Sequence, residues 1–184
     1  MQQEKLAVFI GRFQPFHKGH QAIADAAIAK YGNILFIVGS AYQARTSKNP
    51  FTYRERRDMI RALYPTAKIE AVQNFSNDED WKERVNWNIS WHANPENLPV
   101  VIVGSSVRDN ASYLHWFPQY ELDLSPDLNP GLSASMLRDS IYANLYNNNP
   151  AVEVLKYIPE AIQPILQGLC KSAAMVSCAA KACA

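Results

Sequence analysis

No apolar run in this chain approaches the length of a membrane span, and its first residues, Met1-Gln2-Gln3-Glu4-Lys5, lack the basic-then-apolar order of a secretory signal. A cytoplasmic protein that stays out of the membrane is expected. An excess of either charge is also missing, since 18 basic against 17 acidic residues leave a formal net charge of +1. A dedicated nucleic-acid or membrane-surface protein would carry basic residues in excess, so any positive field here must be local. Cysteine is scarce: Cys170, Cys178 and Cys183 are an odd number without metal-type spacing, and they indicate neither a disulfide framework nor a catalytic thiol. No internal repeat is present. The 184 residues suffice for one domain with a sheet covered on both faces, but not for a second full one. We assign 1–169 to that domain and 170–184, nearly all Ala, Ser, Cys and Lys, to a tail of unknown role.

What the chain does contain is concentrated in Gly11-Arg12-Phe13-Gln14-Pro15-Phe16-His17-Lys18-Gly19-His20. The apolar run Leu6 to Ile10 before it reads as a buried strand, and the Ala/Ile-rich stretch Gln21 to Tyr31 after it reads as a helix. The motif is therefore a strand-to-helix turn. In a parallel sheet such a turn aims the unpaired N–H groups of a helix N-terminus at whatever sits above the strand ends, which favours phosphate. Gly11 lets the backbone come close to a ligand. His17 and His20, three apart on one face of the incoming helix, flank Gly19, whose missing side chain leaves room for a bulky anion. They read as a phosphate clamp, with a pair of metal ligands or two surface histidines as the alternatives. The motif holds no cysteine or carboxylate and zinc requires at least three protein ligands, so no metal ligand is assigned.

Ile34 to Val38 is a second apolar run, ended by Gly39-Ser40. Strand, helix and strand in this order predict parallel pairing with a right-handed crossover, an α/β doubly wound sheet whose ligands gather beyond the carboxyl ends of the strands. Thr52 to Glu55 has the form of a capping box opening a helix to Leu63 or Tyr64, whose Arg54, Arg56, Arg57 and Arg61 can be read as a solvated face. Lys68 to Val72 predicts a short strand, and Ser76-Asn77-Asp78-Glu79 a further capping box before a helix from Asp80 to about His92. Val100 to Val103 is another buried strand, closed by Gly104. Tyr120 to Leu124 suggests an edge strand, and Ser125 to Pro130 a loop. Ser133 and Ser135 open a helix to about Leu145 as caps, with Arg138 one turn on. A last helix from about Ala151 to Leu169 is bent or divided by Pro159 and Pro164.

The motif Gly11 to His20 resembles the H-x-G-H signature of the nucleotidyltransferase superfamily, and in its full form the nicotinamide-nucleotide adenylyltransferases of the archaeal and bifunctional bacterial type. Ser133 to Arg138 resembles that family's second signature, S-x-S/T-x-x-R. The resemblance implies a Rossmann-like nucleotidyltransferase fold with C-terminal helices. The implied reaction is transfer of the adenylyl group of ATP to nicotinamide mononucleotide, giving NAD and pyrophosphate by direct in-line attack. It implies catalytic roles for His20 at the α/β-phosphates, His17 at the triphosphate and Arg138 at the leaving β,γ-phosphates. ATP would be bound by Gly11, Arg12, Phe13, Gly104, Ser133 and Ser135, with Mg²⁺ arriving on the nucleotide. For the mononucleotide it implies a basic loop residue at the phosphate, Lys48 by position with Arg45 second. Trp81 is the implied stacking platform for the nicotinamide ring. Asp78 stands where relatives carry an asparagine, so carboxamide recognition passes to Asn77 or to backbone groups. Homo-oligomers are frequent among relatives and are expected here. The competing readings are another acceptor within the superfamily, such as nicotinate mononucleotide or phosphopantetheine, and a nucleotide sensor without turnover.

Overall fold

A computed structural model describes residues 4–94, 97–105, 109–126, 132–147 and 152–183. Five strands, β1 (Lys5–Gly11), β2 (Gly32–Val38), β3 (Lys68–Ala71), β4 (Val100–Ser105) and β5 (Glu121–Ser125), pair in parallel in the order β3-β2-β1-β4-β5. The chain winds outward from β1 through β2 to β3, then returns to the other side of β1 for β4 and β5. That reversal leaves a crevice beyond the carboxyl ends of β1 and β4.

The three central strands, β2, β1 and β4, read as continuous apolar runs because both faces of the sheet are covered there. Ala7, Phe9, Phe36, Val38, Val101 and Val103 point to one face, packed by α1 (Lys18–Tyr31), α2 (Tyr53–Leu63), α4 (Ala134–Tyr146) and the C-terminal helices α5 (Val152–Leu155), α6 (Gln163–Cys170) and α7 (Ala173–Cys183). Leu6, Val8, Ile10, Leu35, Ile37 and Ile102 point to the other, under α3 (Asp78–Ala93) and a 3₁₀ segment at Asp109–Trp116.

The local signals hold in most places. Gly32 ends α1 at φ 81°, a left-handed conformation glycine adopts without strain, and its N–H bonds Ile28 O. Thr52 and Glu55 form the reciprocal cap of α2, with Glu55 N to Thr52 Oγ1 at 3.2 Å and Thr52 N to Glu55 Oε2 at 2.8 Å. One expectation is corrected: α3 is capped by Asn77, not Ser76, because the Asn77 side chain accepts from Asp80 N at 2.8 Å. The helix expected over 151–169 is divided at its prolines into α5, a 3₁₀ turn at Glu160–Ile162 and α6. The loop expected over 125–130 lies, from 127 on, outside the described residues. Among the described residues, no helix is long and apolar enough to cross a membrane.

The segment set apart as a tail supplies α7, which packs along α4. Met175, Cys178 and Ala179 are buried in the same cluster as Phe9 and Phe36. Cys178 Sγ lies 3.7 Å from the Tyr142 hydroxyl, which in turn donates to Ser47 O at 3.0 Å. Met175→Ala should cost roughly 2–5 kcal/mol, as truncation of a fully buried side chain does. The urea midpoint measures it; a loss below about 0.5 kcal/mol, the scale of surface substitutions, would mean that α7 does not pack in solution.

Candidate active site

β1 ends at Gly11, and the next turn carries Phe13 in a left-handed conformation, φ 51°, with its ring folded back over Gly11. A Cβ on Gly11 would sit 2.9 Å from that ring, so the turn requires glycine there. Gln14, fully buried, holds the turn to the segment before α2: its Nε2 donates to Phe51 O at 2.8 Å and its Oε1 accepts from Phe51 N at 2.9 Å.

The two motif histidines cap α1 reciprocally. His20 N donates to His17 Nδ1 at 3.4 Å, and His17 N donates to His20 Nδ1 at 3.3 Å. Their rings stack with centroids 3.7 Å apart. The two residues expected to form the clamp therefore lie in two layers. His17 is fully buried, whereas His20 lines a cleft of about 600 Å³. A Cβ on Gly19 would lie 3.1 Å from the His17 ring, so the space left by that glycine is taken by the histidine beneath. A neutral imidazole whose Nδ1 accepts carries its proton on Nε2, so His20 is a donor tautomer.

The second signature meets the first across this cleft. Ser133 caps α4 by accepting from Met136 N at 3.1 Å. Arg138, 6% exposed, donates from Nη1 to Gln14 O at 3.0 Å and from Nη2 to Ser135 Oγ at 2.9 Å. Burial, and then the neighbouring Arg12 charge, pulls its guanidinium below the ordinary arginine range. Two helix N-termini and the cations Arg12 and Arg138 therefore converge on one cavity, whose lining, among the described residues, contains no aspartate or glutamate.

The remaining walls come from the other strand ends. Gly11, Arg12, Phe13, Gly104, Ser133 and Ser135 all line the cleft. Trp81 does so as well, held edge-on by Tyr113 and Trp116, each with its ring centroid 5.9 Å away. The 3₁₀ segment lies so close to β4 that a Cβ on Gly104 would meet Leu114 at 2.8 Å.

Five expected residues are not brought to the cleft lining, His17 among them, since its ring lies fully buried beneath His20. Lys48 is exposed on its loop, outside the lining. Arg45 donates to Glu55 Oε2 at 3.0 Å and to Pro50 O at 2.7 Å, so its fork braces the loop against the cap of α2. Asn77 has both ends of its amide engaged by Asp80 in capping α3, and Asp78 is exposed in the first turn of that helix. Conversely, Gln14, Ser40, Asn74 and Tyr113 line the cleft without having been singled out. Ser40 Oγ donates to Asn74 Oδ1 at 3.0 Å, and Tyr113 donates to Ile10 O at 3.1 Å. Gln14 was visible inside the first motif, and Asn74 follows a strand that ends at the same sheet edge; Tyr113 carried no signal.

Comparison with known proteins agrees with this geometry. Residues 8–123 match the model of the cytidylyltransferase-like family. The chain is 31% identical over 140 residues to a nicotinamide/nicotinic acid mononucleotide adenylyltransferase of Acinetobacter baylyi, covering 73% of this chain and 74% of the relative. A nicotinamide-nucleotide adenylyltransferase of Thermoplasma acidophilum is 42% identical over 73 residues, 40% of this chain and 39% of the relative. Among solved structures, a bifunctional NMN adenylyltransferase/ADP ribose pyrophosphatase from Francisella tularensis superposes with a TM-score of 0.70 at 25% identity. That match covers 89% of this chain, which spans about half, 52%, of the Francisella protein.

Proposed function

The chain belongs to the cytidylyltransferase-like family, as a nucleotidyltransferase related to the mononucleotide adenylyltransferases, and from that premise we propose that it transfers the adenylyl group of ATP to nicotinamide mononucleotide. The products are NAD and pyrophosphate. The observation that carries this reading is the bond from Arg138 Nη1 to Gln14 O, 3.0 Å long, which closes the two signatures around one cation-lined cavity.

The acceptor phosphate attacks the α-phosphorus of ATP, the bond to the β-phosphate oxygen breaks, and pyrophosphate leaves in line. A phosphate monoester has its second pKa near ~6, so the attacking oxygen is already largely ionised at neutral pH and needs no general base. A cleft that carries the donors Arg12, His20 and Arg138 and, among the described residues, no carboxylate suits that chemistry. The work left to the protein is to align two anions that repel each other and to stabilise charge moving onto the β,γ-phosphates. We assign His20 to the α/β-phosphates through Nε2–H, with His17 beneath it fixing the ring, and Arg138 to the leaving phosphates. The turn at Gly11 to Phe13 with Arg12, and the α4 N-terminus at Ser133 and Ser135, hold the triphosphate. Mg²⁺ belongs to the substrate: it arrives on ATP, held mainly by phosphate oxygens, and neutralises part of their charge.

The nicotinamide ring is assigned to Trp81. Trp81→Ala should raise KM for the mononucleotide by about 10–100-fold, the range of a lost stacking contact, and leave KM for ATP within about threefold. Equal rises in both constants would place the ring elsewhere. The reading as a whole is tested by pyrophosphate release from ATP with nicotinamide mononucleotide, nicotinate mononucleotide and phosphopantetheine offered in turn. Release with the first is expected; release only with phosphopantetheine, or with none, overturns it.

A further inference from the structure

Arg56 is the largest side chain buried without exposure in the described core, and it sits on α2, outside both signatures along the sequence. Every hydrogen bond from its guanidinium goes to a main-chain carbonyl. Nη1 donates to Gly39 O at 2.7 Å and to Arg12 O at 2.9 Å, Nη2 to Ser40 O at 3.1 Å, and Nε to Thr52 O at 3.2 Å. None of the ion pairs among the described residues includes it. A buried arginine with no carboxylate in ion-pair contact, Glu55 acting on it only from a distance, is an expensive arrangement, and it calls for a reason beyond packing.

The reason lies in what those carbonyls belong to. Arg12 is in the turn that enters α1, and Gly39 and Ser40 are where β2 ends; all three line the cleft. The β1–β2 ladder closes with Gly39 N donating to Gly11 O at 2.9 Å, and the planar group of Arg56 carries that tie one residue further on each strand end, to Arg12 O and Ser40 O. Ser40 is held at φ 49°, a left-handed conformation that a serine keeps only where its surroundings impose it, and Arg56 binds its carbonyl. Burial, then repulsion from Arg12, lowers the Arg56 guanidinium to about 10. Arg12 depresses Arg138 in the same way, so three arginines crowd one wall and floor before any anion is bound.

We propose that Arg56 is a positioning residue for polyphosphate: it sets the spacing between the turn carrying Arg12 and the end of β2, and leaves under the cleft a positive charge that is balanced when a polyphosphate binds. The inference rests on the adenylyl-transfer reading only for the identity of the anion. It requires both the charge and the fork. Lysine keeps the charge but cannot span the two turns, and methionine removes both.

The test uses inorganic tripolyphosphate as the probe and the melting temperature as the readout, so neither an acceptor nor turnover is needed. Wild-type protein should be stabilised by tripolyphosphate in a saturable way. Arg56→Lys and Arg56→Met should bind it at least about tenfold and about 10²-fold more weakly, the second being the scale of a misplacement of about 1 Å in a preorganised site. Arg61→Met, on an exposed position of the same helix, should bind as the wild type does. A merely structural arginine would lower the ligand-free melting temperature and leave the affinity of the folded variants unchanged, and that result overturns the proposal. If Arg56→Met does not fold, Arg56→Lys decides: wild-type affinity overturns the proposal, and weakened binding supports it. A wild-type protein blind to tripolyphosphate would sink the adenylyl-transfer reading together with this one. Unaltered variants of a protein that does make NAD would sink only the role of Arg56.

Discussion

His20→Ala should lower kcat by about 10²–10³, the usual loss when one preorganised donor to a developing charge is removed. The ring stands at the cleft, its Nδ1 is occupied by the N–H of His17, and its proton is thereby fixed on Nε2. No other described side chain of α1 past the cap offers a charged or imidazole donor to this wall of the cleft, whose α1 lining is Gly19, His20 and Ile23. The substitution also removes half of the reciprocal cap, which costs about 1 kcal/mol. In a chain of 184 residues that lowers the melting temperature by only about 2–4 °C, so activity and stability separate cleanly. The measurement is single-turnover NAD formation by folded protein with saturating ATP and mononucleotide. Wild-type turnover in that protein would remove His20 from the chemistry.

Arg138→Ala should show a loss of similar size, about 10²–10³ in kcat, with its clearest signature in the reverse direction, where KM for pyrophosphate should rise. Arg138 has one bond to the first signature and one within its own, so its guanidinium is oriented before any ligand arrives. Arg138→Lys should recover less than about a tenth of the lost rate, because an ammonium cannot hold Gln14 O and Ser135 Oγ together and still present a fork to phosphate. A lysine variant with full activity would show that charge alone suffices. A pyrophosphate KM unchanged in the alanine variant would move Arg138 away from the leaving group.

Much of the architecture was legible in the residue order. The continuous apolar strands, the capping box at Thr52 and Glu55, the glycine stop at Gly32 and the serine cap at Ser133 depend on neighbours within a turn or on the period of the pattern. Ser76 and Asn77 are a case where adjacent residues offered the same cap and only the chain's path chose between them; the choice engages both ends of the Asn77 amide with Asp80. The loop cations show a related dependence. Lys48 came first by position and Arg45 second as phosphate ligands, and the fold engages Arg45 with Glu55 while Lys48 stands exposed outside the cleft lining.

By itself, then, the sequence determined a parallel α/β sheet, its two helix starts with small or polar caps, and a motif pair pointing to phosphate. Each of these is written in residues close together along the chain. Only the tertiary structure decided which side chains face the cleft. It placed His17 under His20, joined Arg138 to a carbonyl 124 positions away, and buried Arg56 beneath two turns instead of leaving it on a solvated face. The physical reason is that a helix reads its own neighbours, whereas the partner of a buried charge is set by where distant segments come to rest.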